Sequence, residues 1–145
     1  MRRQRTLWLV CLSVLAAGAV AAPVAHEEPP PLEGTRWVLT ALGDDAVEGA
    51  VPGREPSLEL RPLERRVHGL TACNRFSGTY TLDGERLTFG PLAVTRMACV
   101  DGPPIELRYL RALGDTVSWR ISGRDLELFD KTEEKIARFE ARLPE

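Results

Sequence analysis

Residues 71–80, TACNRFSGTY, set a cysteine, an asparagine and an arginine side by side, directly ahead of a strand-like alternation. Three chemistries are open to Cys73: thiolate nucleophile, metal ligand, or half of a disulfide. A nucleophile needs a base within reach. Beyond the first 21 residues the histidines are His26, in a proline-rich stretch, and His68, five residues before Cys73. A zinc site needs three or four ligands, and Cys73, Cys99 and one histidine fall short of that set. Which chemistry applies depends on the compartment the chain folds in.

The chain opens MRRQRTLWLVCLSVLAAGAVAA. Arg2, Arg3 and Arg5 make a basic start, Leu7 to Val20 an apolar run, and Ala19-Val20-Ala21 an A-x-A cleavage site. The run is shorter than the roughly 20 residues a membrane helix needs. Cys11 lies within it behind Val10, unlike a lipid-anchored cysteine, which follows a small residue at the end of the run. The expectation is a cleaved signal peptide over 1–21 and a periplasmic or secreted product with no stable membrane insertion. In that oxidising setting an even count of two cysteines makes a Cys73–Cys99 disulfide the default. Free or partner-linked thiols are the alternative. Closing a loop of this length stabilises a fold by roughly 3–4 kcal/mol in the chain-entropy model.

Cleavage leaves 124 residues, one domain's worth, with 16 basic and 21 acidic side chains and a net charge of −5. A mildly acidic chain without a basic run argues against nucleic acid as a partner. Residues 22–33, rich in proline and acid, suit an extended linker ahead of a domain over 34–145.

Strands must position the motif. Trp37 with Leu39, Leu58 with Leu60, Tyr80 with Leu82, and Leu87 with Phe89 alternate against polar neighbours. Val117, Trp119 and Ile121 do the same, and Leu126 and Leu128 return after Ser122-Gly123-Arg124-Asp125. Such alternation indicates antiparallel strands with one face on a core. Asp83-Gly84 suits a tight hairpin turn. Only IELRYLRALG breaks the period: Ile105, Tyr109, Ala112 and Leu113 fall at helical spacing, after two prolines and before Gly114. The expected fold is mainly β (α+β): a curved antiparallel sheet or partly closed barrel with one short helix.

The block from Gly69 to Cys99 resembles the signature of the META domain, the HslJ-like heat-shock family. The shared pattern is G-x-x-x-C-N-x-x-x-G-x-Y, then L-x-F, then T-R-M-A-C. Cys73, Asn74, Gly78, Tyr80, Leu87, Phe89, Thr95, Arg96, Met97, Ala98 and Cys99 match it, and Gly34-Thr35-Arg36-Trp37-Val38-Leu39 matches the family's opening G-T-x-W-x-L. The resemblance implies a lipocalin-like topology with a helix packed on a curved sheet. It also implies an exported or envelope protein tied to heat shock or novobiocin tolerance, and in some parasites to virulence and motility. It carries no catalytic residues across. Many bacterial relatives are lipoproteins, whereas this chain has no anchoring cysteine.

The remaining side chains are weighed singly. Asn74 beside a half-cystine suits turn chemistry more than binding, and Gly78 within a strand suits a bend or bulge. Trp37, Trp119, Phe89 and Phe139 read as core, although aromatics at a barrel mouth also suit apolar ligands. Met97 reads as core filler. Arg75 and Arg96 flank the loop closed by the two cysteines and, with Asn74, are the candidate binding residues, as an anion-receptive patch. Trp37, Gly78, Tyr80, Thr95 and Met97 are the structural motif residues. No catalytic group, metal site or cofactor follows from any spacing. The leading expectation is an exported non-catalytic binding or stress-protection module, contacting an envelope protein or a small apolar ligand. An interaction or inhibitor module presenting the 73–99 loop is the alternative, and an unrecognised hydrolase the second.

Overall fold

The computed structural model describes residues 28–48, 50–97 and 105–143. Ten strands and one helix follow in chain order. They are β1 (Arg36–Leu42), β2 (Asp45–Ala46), β3 (Ser57–Arg61), β4 (Arg66–Leu70), β5 (Arg75–Asp83), β6 (Arg86–Phe89), β7 (Ala93–Val94), α1 (Ile105–Asp115), β8 (Ser118–Ser122), β9 (Asp125–Phe129) and β10 (Lys135–Arg142).

Eight of the strands form a closed antiparallel barrel, in the order β1-β3-β4-β5-β6-β8-β9-β10. The closure that alternation left open is made by β10 lying along β1, from Arg36 opposite Arg142 to Leu42 opposite Ala137. A register shift between Leu39 and Ala41 bends β1 there, as closure of a small barrel requires. The short β2 and β7 add to β1 and β5 without entering the ring. The two hairpin loops expected at 83–84 and 122–125 both have glycine first: Gly84 and Gly123 take φ of 57° and 60°, the left-handed turn geometry that matches strand twist. The first loop is therefore Gly84-Glu85 rather than Asp83-Gly84, because Asp83 stays in the ladder opposite Arg86.

The barrel interior is packed. Trp37, Leu58, Leu60, Val67, Leu87, Leu126, Leu128 and Phe139 are all within 1% of complete burial. Small barrels fill their inward positions with side chains, and this one does so with large and small residues alternating, as Ala137, Phe139 and Ala141 show along β10. The helix stripe expected from sequence is the buried one: α1 inserts Tyr109, Ala112 and Leu113. The Tyr109 ring meets Phe76 edge-on at 5.8 Å and Phe139 at 6.0 Å. Opposite charges tie the helix to the barrel end, with Arg108 2.6 Å from Asp45.

The other end carries a strap. Leu32 is buried, although its flanking prolines suggest linker. Trp37 Nε1 donates to Leu32 O at 2.9 Å, Gly34 N to Leu60 O at 2.8 Å, and the Tyr80 hydroxyl to the Glu33 carboxylate. Burial, aided by Glu33, pushes the Tyr80 phenol up to about 12. The domain thus begins within the stretch read as linker, and residues 22–27 of that stretch lie outside the described residues.

Tyr109 exposes an internal cost. Its hydroxyl is fully buried with no hydrogen-bond partner among the described residues, and burial holds its pKa well above the ordinary phenol range. An unsatisfied buried hydroxyl costs about 1–3 kcal/mol, so Tyr109→Phe is expected to raise stability by about 1 kcal/mol. Urea unfolding of the two proteins checks this; a loss would mean the hydroxyl has a partner.

Candidate functional site

The signature block lies at the helix end of the barrel, where β4 turns into β5. The turn is strained: Ala72 sits at φ 93°, a region L residues rarely occupy. Polar bonds hold it. Thr71 N donates to Asn74 O at 2.8 Å, and Asn74 N donates to the Thr71 hydroxyl at 3.1 Å. That hydroxyl donates in turn to the Glu106 carboxylate, on the first turn of α1.

Asn74 is the hub. Its side chain uses both ends of the amide: Oδ1 accepts from Met97 N at 2.7 Å and from the Thr95 hydroxyl at 3.1 Å. Nδ2 donates to the two Glu106 oxygens at 2.9 and 3.2 Å. Asn74 and Thr71 are both buried. A carboxylate near a helix N-terminus is also favoured by the helix dipole. One amide therefore joins the turn, the segment after β7 and the helix. Four bonds leave Asn74 little capacity for a ligand.

Thr95 works on both strands. Its N–H donates to Arg75 O at 2.9 Å, and its hydroxyl accepts from Arg75 N at 3.0 Å. Arg75 thus faces Thr95 across the pair, with Arg96 one residue on; both arginines are exposed. Met97 is 53% exposed, which corrects its reading as core filler. Its contribution to the network is the backbone N–H held by Asn74, and that needs no buried side chain. Cys73 Sγ approaches Met97 O at 4.0 Å, while Ala98 and Cys99 lie outside the described residues.

Gly78 does not bend its strand. It pairs regularly with Val67, and a Cβ there would meet Leu92 Cδ2 at 2.7 Å and Pro91 O at 2.8 Å. The glycine lets the segment after β6 cross close to β5. Tyr80 is buried and anchors the strap through Glu33.

Trp119, read as core, is only partly buried. The β6–β8 seam is short, a single pair of Arg86 with Ser118, so Trp119 and Ile121 run past the end of β6. With Pro29–Leu32 and Glu85 they line a recess of about 380 Å³ at the strap end. The Trp119 indole donates to Gly84 O at 2.9 Å.

Thr71 and Glu106 are the network members that sequence reasoning missed. In the sequence Glu106 is only a charge off the helix's apolar stripe, and an acid in a helix first turn is the one available signal. Among the described residues, no three of His, Cys, Asp and Glu gather as a metal would require. No helix among them is long and apolar enough to cross a membrane.

Comparison with known proteins agrees with this architecture. The META domain family model matches residues 30–143. The chain is 34% identical over 98 residues to heat shock protein HslJ of Escherichia coli K12, covering 68% of this chain and 67% of that one. A solution structure of a Burkholderia xenovorans protein superposes with a TM-score of 0.64 at 28% identity, over 88% of this chain and 99% of that one. A crystal structure of a Bacteroides vulgatus duf4847-family protein shares the fold alone, with a TM-score of 0.57 at 10% identity, over 79% of this chain and 96% of that one.

Proposed function

Because the chain belongs to the META domain family, we propose that it is an exported, non-catalytic stress-protection module of the cell envelope that works by binding at its surface. The observation that carries this reading is where the polar groups of the signature block go. Asn74, Thr71, Thr95 and Glu106 spend their side-chain bonds on one another, with Asn74 and Thr71 buried, and the barrel interior is packed with side chains. What remains for contact is the outer surface. The name of the Escherichia coli relative supports a link to heat shock, and the family is not known for catalysis.

The contact region is the strap-end recess, where the partly exposed Trp119 and Ile121 suit an envelope protein or a small apolar ligand. The Cys73–Cys99 disulfide belongs to the same reading. Cys73 Sγ lies 4.0 Å from Met97 O, and Cys99 follows two residues later. A second reading, a module presenting Arg75 and Arg96 to a protein target, is favoured by the exposure of both beside the Arg75–Thr95 pair.

Cells lacking the gene, supplied with the full chain or with residues 22–145 alone, test the reading after heat shock and under novobiocin. Only the full chain is expected to restore survival. Its periplasmic form should have the mass of residues 22–145 less two hydrogen atoms. Equal rescue by the leaderless chain would remove the envelope from the account.

A further inference from the structure

A second feature lies on the outer wall of the barrel, away from the strap-end recess. A groove of about 330 Å³ crosses β3, β4 and β5, and Arg36, Arg61, Arg75 and His68 converge on it around Leu70. Strand alternation turns these side chains outward while Leu58, Val67 and Phe76 face the core. The register clusters them: Leu70 pairs with Ser57 on one side and Arg75 on the other, and His68 pairs with Glu59.

Charge in the groove does not balance. Arg36 reaches Glu55 at 3.4 Å and Arg61 reaches Glu59 at 3.2 Å, each through one guanidinium nitrogen. The Arg75 guanidinium has no ion-pair partner among the described residues. Three guanidiniums against two carboxylates leave one positive charge uncompensated. A second, independent observation concerns a residue lining the same groove: His68 Nε2 is shut away from solvent with no hydrogen-bond partner among the described residues. Buried polar atoms are nearly always bonded, so this ring gains a hydrogen bond if it turns Nε2 into the groove toward a ligand atom.

We propose that this groove binds a singly charged oxyanion group carried on an apolar body. The anion sits against Arg75, with spare N–H groups of Arg36 and Arg61 beside it, since guanidinium presents five donors in a planar fork. The apolar part lies along Leu70, and turning the His68 ring about its side-chain torsions brings Nε2 into the groove to bond a second polar atom of the ligand. Arg96, the partner first suspected for Arg75, does not line the groove.

The test is a titration of the isotope-labelled domain followed by backbone amide NMR. Octanoate and dibutyl phosphate serve as free anions, hexanol as the neutral control, and phosphatidylglycerol against phosphatidylcholine vesicles as the lipid form of the same charge. Saturable shifts at His68, Leu70 and Arg75 are expected with the anions and not with hexanol. Saturation by octanoate or dibutyl phosphate identifies a free small molecule as the source; binding confined to phosphatidylglycerol vesicles identifies a lipid surface. Loss of a charge-assisted contact is worth roughly tenfold or more. Arg75→Ala and Arg75→Gln should therefore weaken binding about tenfold, and His68→Phe several-fold. Arg111→Ala removes the same charge from the helix and should change nothing. The proposal is overturned if none of the anionic probes produces saturable shifts, or if folded Arg75→Ala protein binds as tightly as the wild type.

Discussion

Asn74→Ala is expected to lose about 3–5 kcal/mol of stability, although the residue has the composition of a binding-site side chain. The substitution removes an acceptor for Met97 N and the Thr95 hydroxyl, and a donor to both Glu106 oxygens. An unsatisfied buried group costs about 1–3 kcal/mol, more when charged. Glu106 also keeps the Thr71 hydroxyl, so its carboxylate is weakened rather than stripped, which sets the upper bound. Domains of this size hold about 5–15 kcal/mol in total, so the variant should melt far below the wild type. Neighbouring Arg75→Ala, on an exposed side chain, should stay within about 0.5 kcal/mol. Urea unfolding of both variants provides the comparison, and equal losses would defeat the assignment of Asn74 as a structural hub.

Gly69→Ala should be as severe for a different reason. A Cβ at position 69 would lie 2.1 Å from Ser57 O and 2.3 Å from Phe76 Cζ. Ser57 O belongs to the backbone of β3, opposite Leu70 on β4, and cannot turn aside. Phe76 is directly across from Gly69 on β5 and stacks its ring over the space a side chain would fill. The ring is also packed on Tyr109 of the plug helix. One methyl group would therefore push the ring, the helix and the β3–β4 pairing together. Overpacking of a core costs about 1–3 kcal/mol and more where backbone must move; a loss of about 3 kcal/mol or more is expected from thermal unfolding. Gly84, with nothing within 4 Å of its would-be Cβ, has no such clash.

Much of the strand layout was legible because alternation is local. Trp37 with Leu39, Leu58 with Leu60, and Leu126 with Leu128 declare their inward face within three residues, and the helix declares itself by a change of period. Barrel closure was not legible, because it joins positions nearly a full domain apart: the Thr40 hydroxyl bonds Arg138 O, 98 residues away. Proline hid the strap, since a run of three prolines reads as linker whether or not Leu32 is buried beside it. Trp119 misled for the converse reason. Its alternation is correct, but β6 ends before covering it, and strand length cannot be read from period. At the signature block, Asn74 announced turn chemistry, yet its partner Glu106 lies 32 residues on and carries no local mark. Arg75 was visible as a candidate only beside Arg96; its groove with His68 depends on the β4–β5 register.

The signature block is a structural lock joining the β4–β5 turn to the helix. A double-mutant cycle on Asn74→Ala and Glu106→Ala, read by urea unfolding, tests it most directly. Contacting residues in one hydrogen-bond network couple by roughly 0.5–3 kcal/mol, and the two-pronged amide–carboxylate contact places this pair in the upper part of that range. The double variant is expected to be about 1–3 kcal/mol more stable than the sum of the single losses implies. Additive losses, within about 0.5 kcal/mol, would contradict it.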